Sequence, residues 1–328
     1  MPSTRTPKSY AALRFLSPVM AGVKCKEDSL AQKLVSKSEW MRFCTTRIET
    51  TLSSGGMTTG TGFFFVISLE DNLQTIVLIT NKHVLDGAKS FSIFLTRKDE
   101  NNMPMNIPPE KITISGFDAF LVRHPEEDVD LCAFILGPTL KMWADKGRYY
   151  YYGLMGFETI PTLEELNDLA AVQDIVMVGY PNGIWDEHNN QPVIRKGVTS
   201  TDPALNWNNK PVFLIDAACF PGSSGSPVFL YNPLGTQSKS GSYQMGKSLF
   251  KFLGILYAGP QHTATGDIVE VPIAQSKLQV RSNIPNNLGL VVSSQKLKEL
   301  VPLVDKRGEE ITNALNQFAL NKQKQTDA

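Results

Sequence analysis

Residues 216–227 read DAACFPGSSGSP, and this stretch decides how the rest of the chain is interpreted. The apolar runs VFLI and VFL flank it, which predicts a tight loop of small residues between two strands. Within the loop, Ser224 lies between Gly222 and Gly225. Glycine lets the main chain curl until neighbouring N–H groups point into one space, as an oxyanion hole requires. The loop therefore suits acyl transfer by Ser224, with the N–H groups of Gly222 and Ser224 as oxyanion donors, although an ordinary hairpin loop has a similar composition.

The composition excludes several classes of protein. The 328 residues suffice for one large core or two moderate ones. The chain has 32 Lys+Arg and 32 Asp+Glu, and a net charge of zero argues against a general nucleic-acid binder. No apolar run approaches the roughly 20 residues that cross a bilayer. The N-terminal stretch lacks a clean small-residue cleavage site, so we predict no signal peptide, no membrane partner and a cytoplasmic location.

The cysteines and histidines predict neither a disulfide framework nor a metal site. The four cysteines are scattered along the chain, and two of them lie in apolar runs, which favours free buried thiols in a reducing compartment. The histidines and cysteines show none of the close spacings of zinc ligands, and no glycine motif that cradles phosphate is present. We therefore expect no metal and no cofactor. The cysteines are Cys25, Cys44, Cys132 and Cys219.

Many short apolar runs, separated by turn signals and arranged in two halves, predict an all-β protein of paired barrels or sandwiches. A change of composition and a helix-capping pattern at Thr162 mark the connection between the halves. The predicted organisation is an N-terminal extension at 1–42, a first β half at 43–136, a linker with a short helix at 137–171, a second β half at 172–292, and a C-terminal helix and tail at 293–328.

Two further residues complete a candidate catalytic set with Ser224. A serine nucleophile needs a base, and the base needs an orienting group. Among the four histidines, His83 alone ends an apolar strand and opens a turn. Asp130 directly precedes the apolar run LCAFIL, where an unpaired charge would be costly, and Asp128 is a rival for the same role. The order His, Asp, Ser along the chain differs from the Asp-His-Ser and Ser-Asp-His orders of two other hydrolase scaffolds.

Four segments carry a resemblance to a known family. The segments TGFF, ITNKHV, DLCA and GSSGSP, which begin at residues 61, 79, 130 and 222, resemble successive motifs of the chymotrypsin-fold serine proteases. The resemblance covers roughly residues 43–300 and is closest to the bacterial HtrA-type branch and its trypsin-like relatives.

The resemblance implies both a fold and an activity. The fold is two antiparallel six-stranded β-barrels, with an N-terminal extension, a C-terminal helix and the active site in the cleft between the barrels. The activity is that of a serine endopeptidase acting on a protein or peptide substrate. By the mechanism of that family, His83 takes the proton of Ser224, Asp130 holds the tautomer of the imidazole, and the Gly222 and Ser224 N–H groups bind the oxyanion.

Departures from the family pattern refine these expectations. Ser223 stands where the digestive enzymes have an aspartate that pairs with a newly cut N-terminus, so we expect no such activation. Ala218 occupies the position that resembles the base of the primary substrate pocket, which predicts cleavage after small or medium apolar residues. The segment Tyr257-Ala258-Gly259 resembles the strand edge that pairs with the substrate backbone. About 30 residues follow Ser294, too few for the peptide-binding PDZ domain usual in HtrA enzymes.

Two alternatives to a constitutive enzyme remain open. The chain could be a catalytically silent binding module that keeps the protease fold. It could also be a protease that stays latent until a regulatory protein partner orders the oxyanion loop. The polar loops at 182–191 and 231–247 could serve such control, although plain surface loops have the same composition.

Overall fold

The computed structural model describes residues 36–69, 74–246, 248–259, 261–267, 279–285 and 287–326. Within these residues the chain is mostly β, as predicted, and its helices are short except for the last. The helices are α1 (Lys37–Met41), α2 (Lys82–Leu85), α3 (Gly137–Ala144), α4 (Leu163–Asp168) and α5 (Val301–Thr326). The strands are β1 (Thr45–Leu52), β2 (Met57–Ser68), β3 (Gln74–Thr80), β4 (Ala88–Arg97), β5 (Glu110–Ser115), β6 (Leu121–Arg123), β7 (Cys132–Ile135), β8 (Tyr150–Tyr151), β9 (Asp174–Gly179), β10 (Val193–Thr199), β11 (Val212–Asp216), β12 (Pro227–Asn232), β13 (Gly235–Gln237), β14 (Tyr243–Met245), β15 (Leu249–Ala258), β16 (Gln261–Asp267), β17 (Gln279–Pro285) and β18 (Leu288–Ser293).

The first half of the chain forms one antiparallel sheet in the order β5-β4-β1-β2-β3-β7-β6. Its centre is the predicted hairpin of β2 and β3, in which Phe63 lies opposite Ile79 and Phe65 opposite Val77. These side chains are almost fully buried, because continuous apolar runs suit strands that are covered on both faces. The sheet curves into a half-barrel. Among the described residues its end strands β5 and β6 do not pair, so this half is more open than the six-stranded barrel that we predicted.

The second half is a closed barrel of six antiparallel strands in the order β10-β11-β18-β15-β12-β9, which confirms the prediction for this half. A closed barrel leaves no unpaired strand edge. Strands β11 and β12, which flank the serine loop, are not neighbours in this barrel, because β18 and β15 lie between them. The loop at 217–226 therefore crosses one end of the barrel.

The two halves share one hydrophobic cluster, and each half also has a cluster of its own. Phe63 of the first half packs edge-on against Phe252 of the second, with ring centroids 5.3 Å apart. Buried residues from α5, such as Val304, join the same cluster. Helix α5 then lies against the first half, where the Arg307 guanidinium donates to the Asp118 and Ala119 carbonyl oxygens. The predicted C-terminal helix thus follows the second barrel but packs on the first sheet.

Some local predictions need correction. The run of four tyrosines at 149–152, which falls in the predicted linker, contains strand β8, and Tyr150 is buried against Trp143. The polar loop at 231–247 contains the small hairpin β13–β14. A second hairpin, β16–β17, follows β15, where the sequence carried no strand signal. Its alternating polar residues lack the apolar period on which strand prediction depends.

Three of the four cysteines lie within the described residues. Cys44, Cys132 and Cys219 are free and buried, as predicted. Cys25 lies outside the described residues, as does most of the predicted N-terminal extension.

Candidate active site

His83 and Asp130 meet because their strands are neighbours. Strand β3 ends two residues before Lys82, and β7 begins two residues after Asp130. The pairing of Thr80 with Cys132 brings these two strand ends together. His83 Nδ1 lies 2.5 Å from Asp130 Oδ2, and the His83 backbone N–H donates to Asp130 Oδ1 at 3.2 Å. A carboxylate that holds Nδ1 leaves Nε2 as the ring nitrogen available to a reacting group.

The backbone of Asp130 is held from the same side. The side-chain amide of Asn81 donates to the Asp130 carbonyl oxygen at 2.7 Å, and Asn81 itself is fully buried. The Asp130 side chain is 19% exposed, whereas that of His83 is 48% exposed. The carboxylate is thus sheltered, while the imidazole opens on the cleft.

The rival residues lie elsewhere. His124 is buried, with Nε2 3.1 Å from Glu299. Asp128 is mostly exposed and lies 3.5 Å from Lys210. His188 is exposed in its loop, and the side chain of His262 is outside what the structure describes. Of the described histidines, only His83 is paired with an aspartate.

The serine loop depends on two glycines with left-handed backbone. Gly222 has φ +85° and Gly225 has φ +87°. A Cβ at Gly222 would lie 2.5 Å from the Tyr180 carbonyl oxygen, and one at Gly225 would lie 1.9 Å from that of Thr61. Both positions therefore require glycine for backbone conformation and for space.

Strand β2 of the first half holds this loop of the second half. The Thr61 N–H donates to the Ser224 carbonyl oxygen at 2.8 Å, and the Thr61 hydroxyl donates to that of Gly222 at 3.0 Å. The hydroxyl of Thr80, three residues before His83, donates to the Thr61 carbonyl oxygen at 2.7 Å. These bonds connect the serine loop to the strand that leads into His83.

Within residues 222–226 of the described chain, two N–H groups make no hydrogen bond. The N–H groups of Ser223, Gly225 and Ser226 donate to backbone carbonyls, whereas those of Gly222 and Ser224 have no acceptor in the described part of the chain. The Pro221 carbonyl accepts from Asn182. Because C=O and N–H point in opposite directions in a trans peptide, the Gly222 N–H points away from Asn182. The loop thus offers two unused donors beside the Ser224 side chain, as an oxyanion hole needs.

The Ser224 hydroxyl donates to the Tyr257 carbonyl oxygen at 3.5 Å, and within the described residues no hydrogen bond joins it to His83. Burial raises the pKa of the Tyr257 phenol, and the nearby charges of Asp130 and Asp128 raise it further. Tyr257 is therefore near the serine through its carbonyl oxygen and near Asp130 through its phenol. In this conformation the hydroxyl points to the predicted substrate edge.

The predicted substrate pocket is narrow. A Cβ added at Gly259 would lie 3.4 Å from the Cβ of Cys219, an ordinary van der Waals contact, so the space between these two residues is about one methyl group wide. Ala218 is partly exposed, and its carbonyl oxygen accepts from the Arg195 guanidinium. The backbone of Ala258 ends β15 opposite Leu290. The space beside Ala218 suits a small side chain better than a large one.

Sequence reasoning missed two residues of this region. Thr61 was part of a motif, but its contacts join residues more than 100 positions apart, and no local pattern reports such contacts. Arg195 carries a signal that could have been used, because it lies at an inward-facing position of β10 between the exposed Ile194 and Lys196. An arginine on the inner face of a strand calls for a specific partner.

Other kinds of site were sought in the described ranges. No group of three or more His, Cys, Asp or Glu residues there is arranged to hold a metal ion. No helix there is long and apolar enough to span a bilayer.

The comparison with protein families decides the assignment. Residues 60–232, more than half of the chain, match the family model of the trypsin-like peptidase domain. The chain belongs to this family. It is therefore a trypsin-like peptidase domain with a chymotrypsin-like fold, and proteins of this fold act on peptides or proteins. The matched segment contains all three candidate catalytic residues, His83, Asp130 and Ser224.

Several solved proteases are similar to this peptidase domain. The active form of the Rv3671c protease from M. tuberculosis is 14% identical, with 92% of each chain covered and a TM-score of 0.38. The protease Anisep from Arthrobacter nicotinovorans is 14% identical, with 77% of this chain and 90% of its own covered and a TM-score of 0.40. Tobacco etch virus protease in complex with product is 10% identical, with 70% and 75% covered and a TM-score of 0.37. No curated protein matches the chain.

Proposed function

We propose that this peptidase domain is a serine endopeptidase that cleaves peptide bonds through Ser224, His83 and Asp130. His83 Nε2 takes the Ser224 proton as the hydroxyl oxygen attacks the scissile carbonyl, and the free N–H groups of Gly222 and Ser224 receive the resulting oxyanion. His83 then donates that proton to the leaving amine, and water repeats the sequence to release the acyl group. Asp130 keeps the ring in the tautomer that both steps use.

The observation that carries the proposal is the His83–Asp130 contact of 2.5 Å beside a loop with two unused N–H donors. Orientation of the base and oxyanion stabilisation are the two requirements of serine catalysis. The residues that the sequence singled out independently could supply both, which supports the proposal.

Serine is favoured over cysteine as the nucleophile. Cys44 and Cys132 are fully buried, and burial raises the pKa of both thiols. Burial also raises the pKa of Cys219 to about 11. A thiol reacts as its thiolate, so these three groups are poor nucleophiles at neutral pH.

The decisive experiment is labelling with a fluorophosphonate probe. We expect the wild type to be labelled and the variants Ser224→Ala and His83→Ala to remain unlabelled. Ser226→Ala is the matched control, since Ser226 lies in the same loop but its side chain is buried and its N–H bonds to Ser223. Labelling that survives in Ser224→Ala would refute the proposal.

One observation favours the second candidate, a protease that a partner or a substrate must activate. The Ser224 hydroxyl is directed to Tyr257 and is not bonded to His83. His83 is half exposed, so its ring has room to turn towards Ser224 when a ligand enters. Under this alternative, a folded wild type would be labelled slowly, and a bound peptide would accelerate the reaction. A wild type that neither labels nor responds to peptide would support a catalytically silent binding module.

We extend the proposal to specificity and location. The narrow space beside Ala218 supports small or medium apolar residues at the position before the cleaved bond. The segments around Asp216 and Gly225 support a place near the HtrA-type branch. Three free buried thiols support a reducing, cytoplasmic location.

A further inference from the structure

Arg195 stands out among the arginines whose side chains the structure describes. Six others form an ion pair with a carboxylate, but Arg195 forms none within the described part of the chain. Burial lowers the pKa of Arg195, and the nearby Cys219 thiol partly offsets this effect. A partly buried guanidinium without a counter-ion is unfavourable, so its presence suggests a specific role. The paired arginines are Arg42, Arg47, Arg97, Arg123, Arg148 and Arg307.

The partners of Arg195 are both in the serine loop. Its Nη2 donates to the Ser223 hydroxyl at 2.8 Å, and its Nη1 donates to the Ala218 carbonyl oxygen. One rigid planar group thus ties the entry of the loop to the residue directly before the nucleophile. Hydrogen bonds from a charged donor are stronger than neutral ones, and the fork of a guanidinium fixes the spacing of its two acceptors.

The Ser223 end of this link determines where an oxyanion donor points. The Ser223–Ser224 peptide carries the unused Ser224 N–H, and the Ser223 carbonyl accepts from Ser226. A rotation of Ser223 would turn this peptide and withdraw the N–H from the hole. Strand β10, which carries Arg195, is paired along its length with β9, so the backbone from which the guanidinium extends is held in place.

We propose that Arg195 is a positioning residue that holds the serine loop in its oxyanion-binding conformation. The proposal rests on the proposed serine peptidase function. The proposal also explains why Ser223 can stand where the digestive enzymes have an aspartate. The charge that stabilises the loop is supplied by the Arg195 guanidinium, on strand β10 of the barrel. The loop can then bind an oxyanion without first changing its conformation.

The test compares Arg195→Met, Arg195→Lys and Ser223→Ala with the wild type. We expect Arg195→Met to lower kcat about 100-fold, the order of effect of losing one oxyanion donor, with KM changed less than about 3-fold. Affinity for a peptide boronate, which forms a tetrahedral adduct in the hole, should fall in parallel, while affinity for the product peptide should not. Arg195→Lys should recover part of kcat, since the charge remains, and Ser223→Ala should lower kcat about 5-fold or more.

Arg148→Met is the matched control, because Arg148 pairs with Glu110 in the first half and should leave kcat unchanged. A folded Arg195→Met variant with kcat within about 3-fold of wild type, or with a loss confined to KM, overturns the proposal. If Arg195→Met does not fold, Ser223→Ala decides, and kcat within about 2-fold of wild type overturns it. If the wild type is not labelled by the fluorophosphonate, the peptidase function and this proposal fail together. If the wild type and Arg195→Met are labelled equally fast, only this proposal fails.

Discussion

Asp130 makes two contacts with His83, one to the ring and one to the backbone N–H. The backbone contact fixes the carboxylate, and the ring contact fixes the imidazole against it. Orientation therefore does not depend on the ring contact alone, even though the ring is half exposed. At the scale of single residues, this double contact supports the proposed role of His83 as a base.

Replacement of Asp130 by asparagine tests this arrangement. The variant keeps the shape of the side chain but can place an N–H donor opposite Nδ1, which favours the wrong tautomer. We expect kcat to fall by about 10⁴-fold with KM changed little. Asp128→Asn is the control, since Asp128 is exposed and contacts Lys210 only at 3.5 Å, and it should stay within about 2-fold of wild type. Equal losses in both variants would argue against Asp130 as the orienting group.

The close approach of Gly259 to Cys219 predicts the cleavage profile. A Cβ at Gly259 would already be in van der Waals contact with Cys219, so the space between them leaves little room for a long side chain. In a library varied at the residue before the cleaved bond, we expect alanine, valine and other small or medium apolar residues to dominate. Cleavage mainly after lysine or arginine would show that the pocket is deeper or differently charged than described.

At the scale of elements, the serine loop owes its shape to contact with β2 as well as to its own glycines. Gly225 and Gly241 have nearly the same backbone angle, with φ of +87° and +84°. A Cβ at Gly225 would strike the Thr61 carbonyl, whereas one at Gly241 would meet nothing within 4 Å. A comparison of the two positions therefore separates the free-energy cost of a left-handed backbone from that of steric crowding.

Alanine substitutions at these two glycines should differ sharply. Gly241→Ala should lower the free energy of unfolding by about 1–2 kcal/mol, the cost of the left-handed conformation alone, and leave activity unchanged. Gly225→Ala should lower it further and abolish fluorophosphonate labelling, because the loop must move away from Thr61. Thermal unfolding and labelling rates measure the two effects. Similar behaviour of both variants would mean that the β2 contact does not shape the loop.

The elements differ in how well their sequences predict them. Strands such as β2, β3 and β7 are continuous apolar runs, so burial alone identifies them, and the glycines identify the serine loop. Strand β8 and the hairpin β16–β17 lack this period, and their pairing depends on partners that no local pattern reveals. The same limit applies to Arg195 and Thr61. Their partners lie more than 20 and 100 positions away, so only the folded chain brings them into contact.

At the scale of the whole molecule, the segment that carries Asp130 is held by the C-terminal part of the chain. The Lys296 ammonium bonds to the Glu126 carboxylate at 2.9 Å, and this bond lowers the pKa of the Glu126 carboxyl. Lys82, next to His83, donates to the Glu126 carbonyl oxygen at 2.7 Å. His124 is buried beside Glu299 in the same cluster. Asp130, the proposed orienting residue, is thus supported from both halves.

Buried His124 predicts how stability depends on pH. Burial lowers its pKa, and the charges around it, Glu299, Glu126, Lys296 and Lys82, partly cancel. The unfolded chain therefore binds a proton at His124 near pH 6.5, where the folded chain does not. As pH falls below about 6.5, this site should reduce the free energy of unfolding by up to about 1.4 kcal/mol per pH unit, until the folded-state pKa is reached, and it contributes nothing above that window.

The measurement is urea unfolding between pH 5 and 8. We expect the His124→Gln variant to show a shallower pH dependence below pH 6.5 than the wild type. His188→Gln, a change at an exposed histidine, serves as control and should follow the wild-type curve. Identical curves for all three proteins would remove His124 as the source of the dependence.

The hydrogen bonds of Thr61 to Ser224 and Gly222 also bear on how the molecule loses activity. Under the proposed mechanism, they make the boundary between the sheet and the barrel the same surface on which the reaction takes place. A small slip along that boundary would silence the enzyme while both halves kept their strands. As the urea concentration rises, turnover should therefore be lost before the circular dichroism changes. Turnover would then report the alignment of the two halves more sensitively than any spectroscopic probe of their structure.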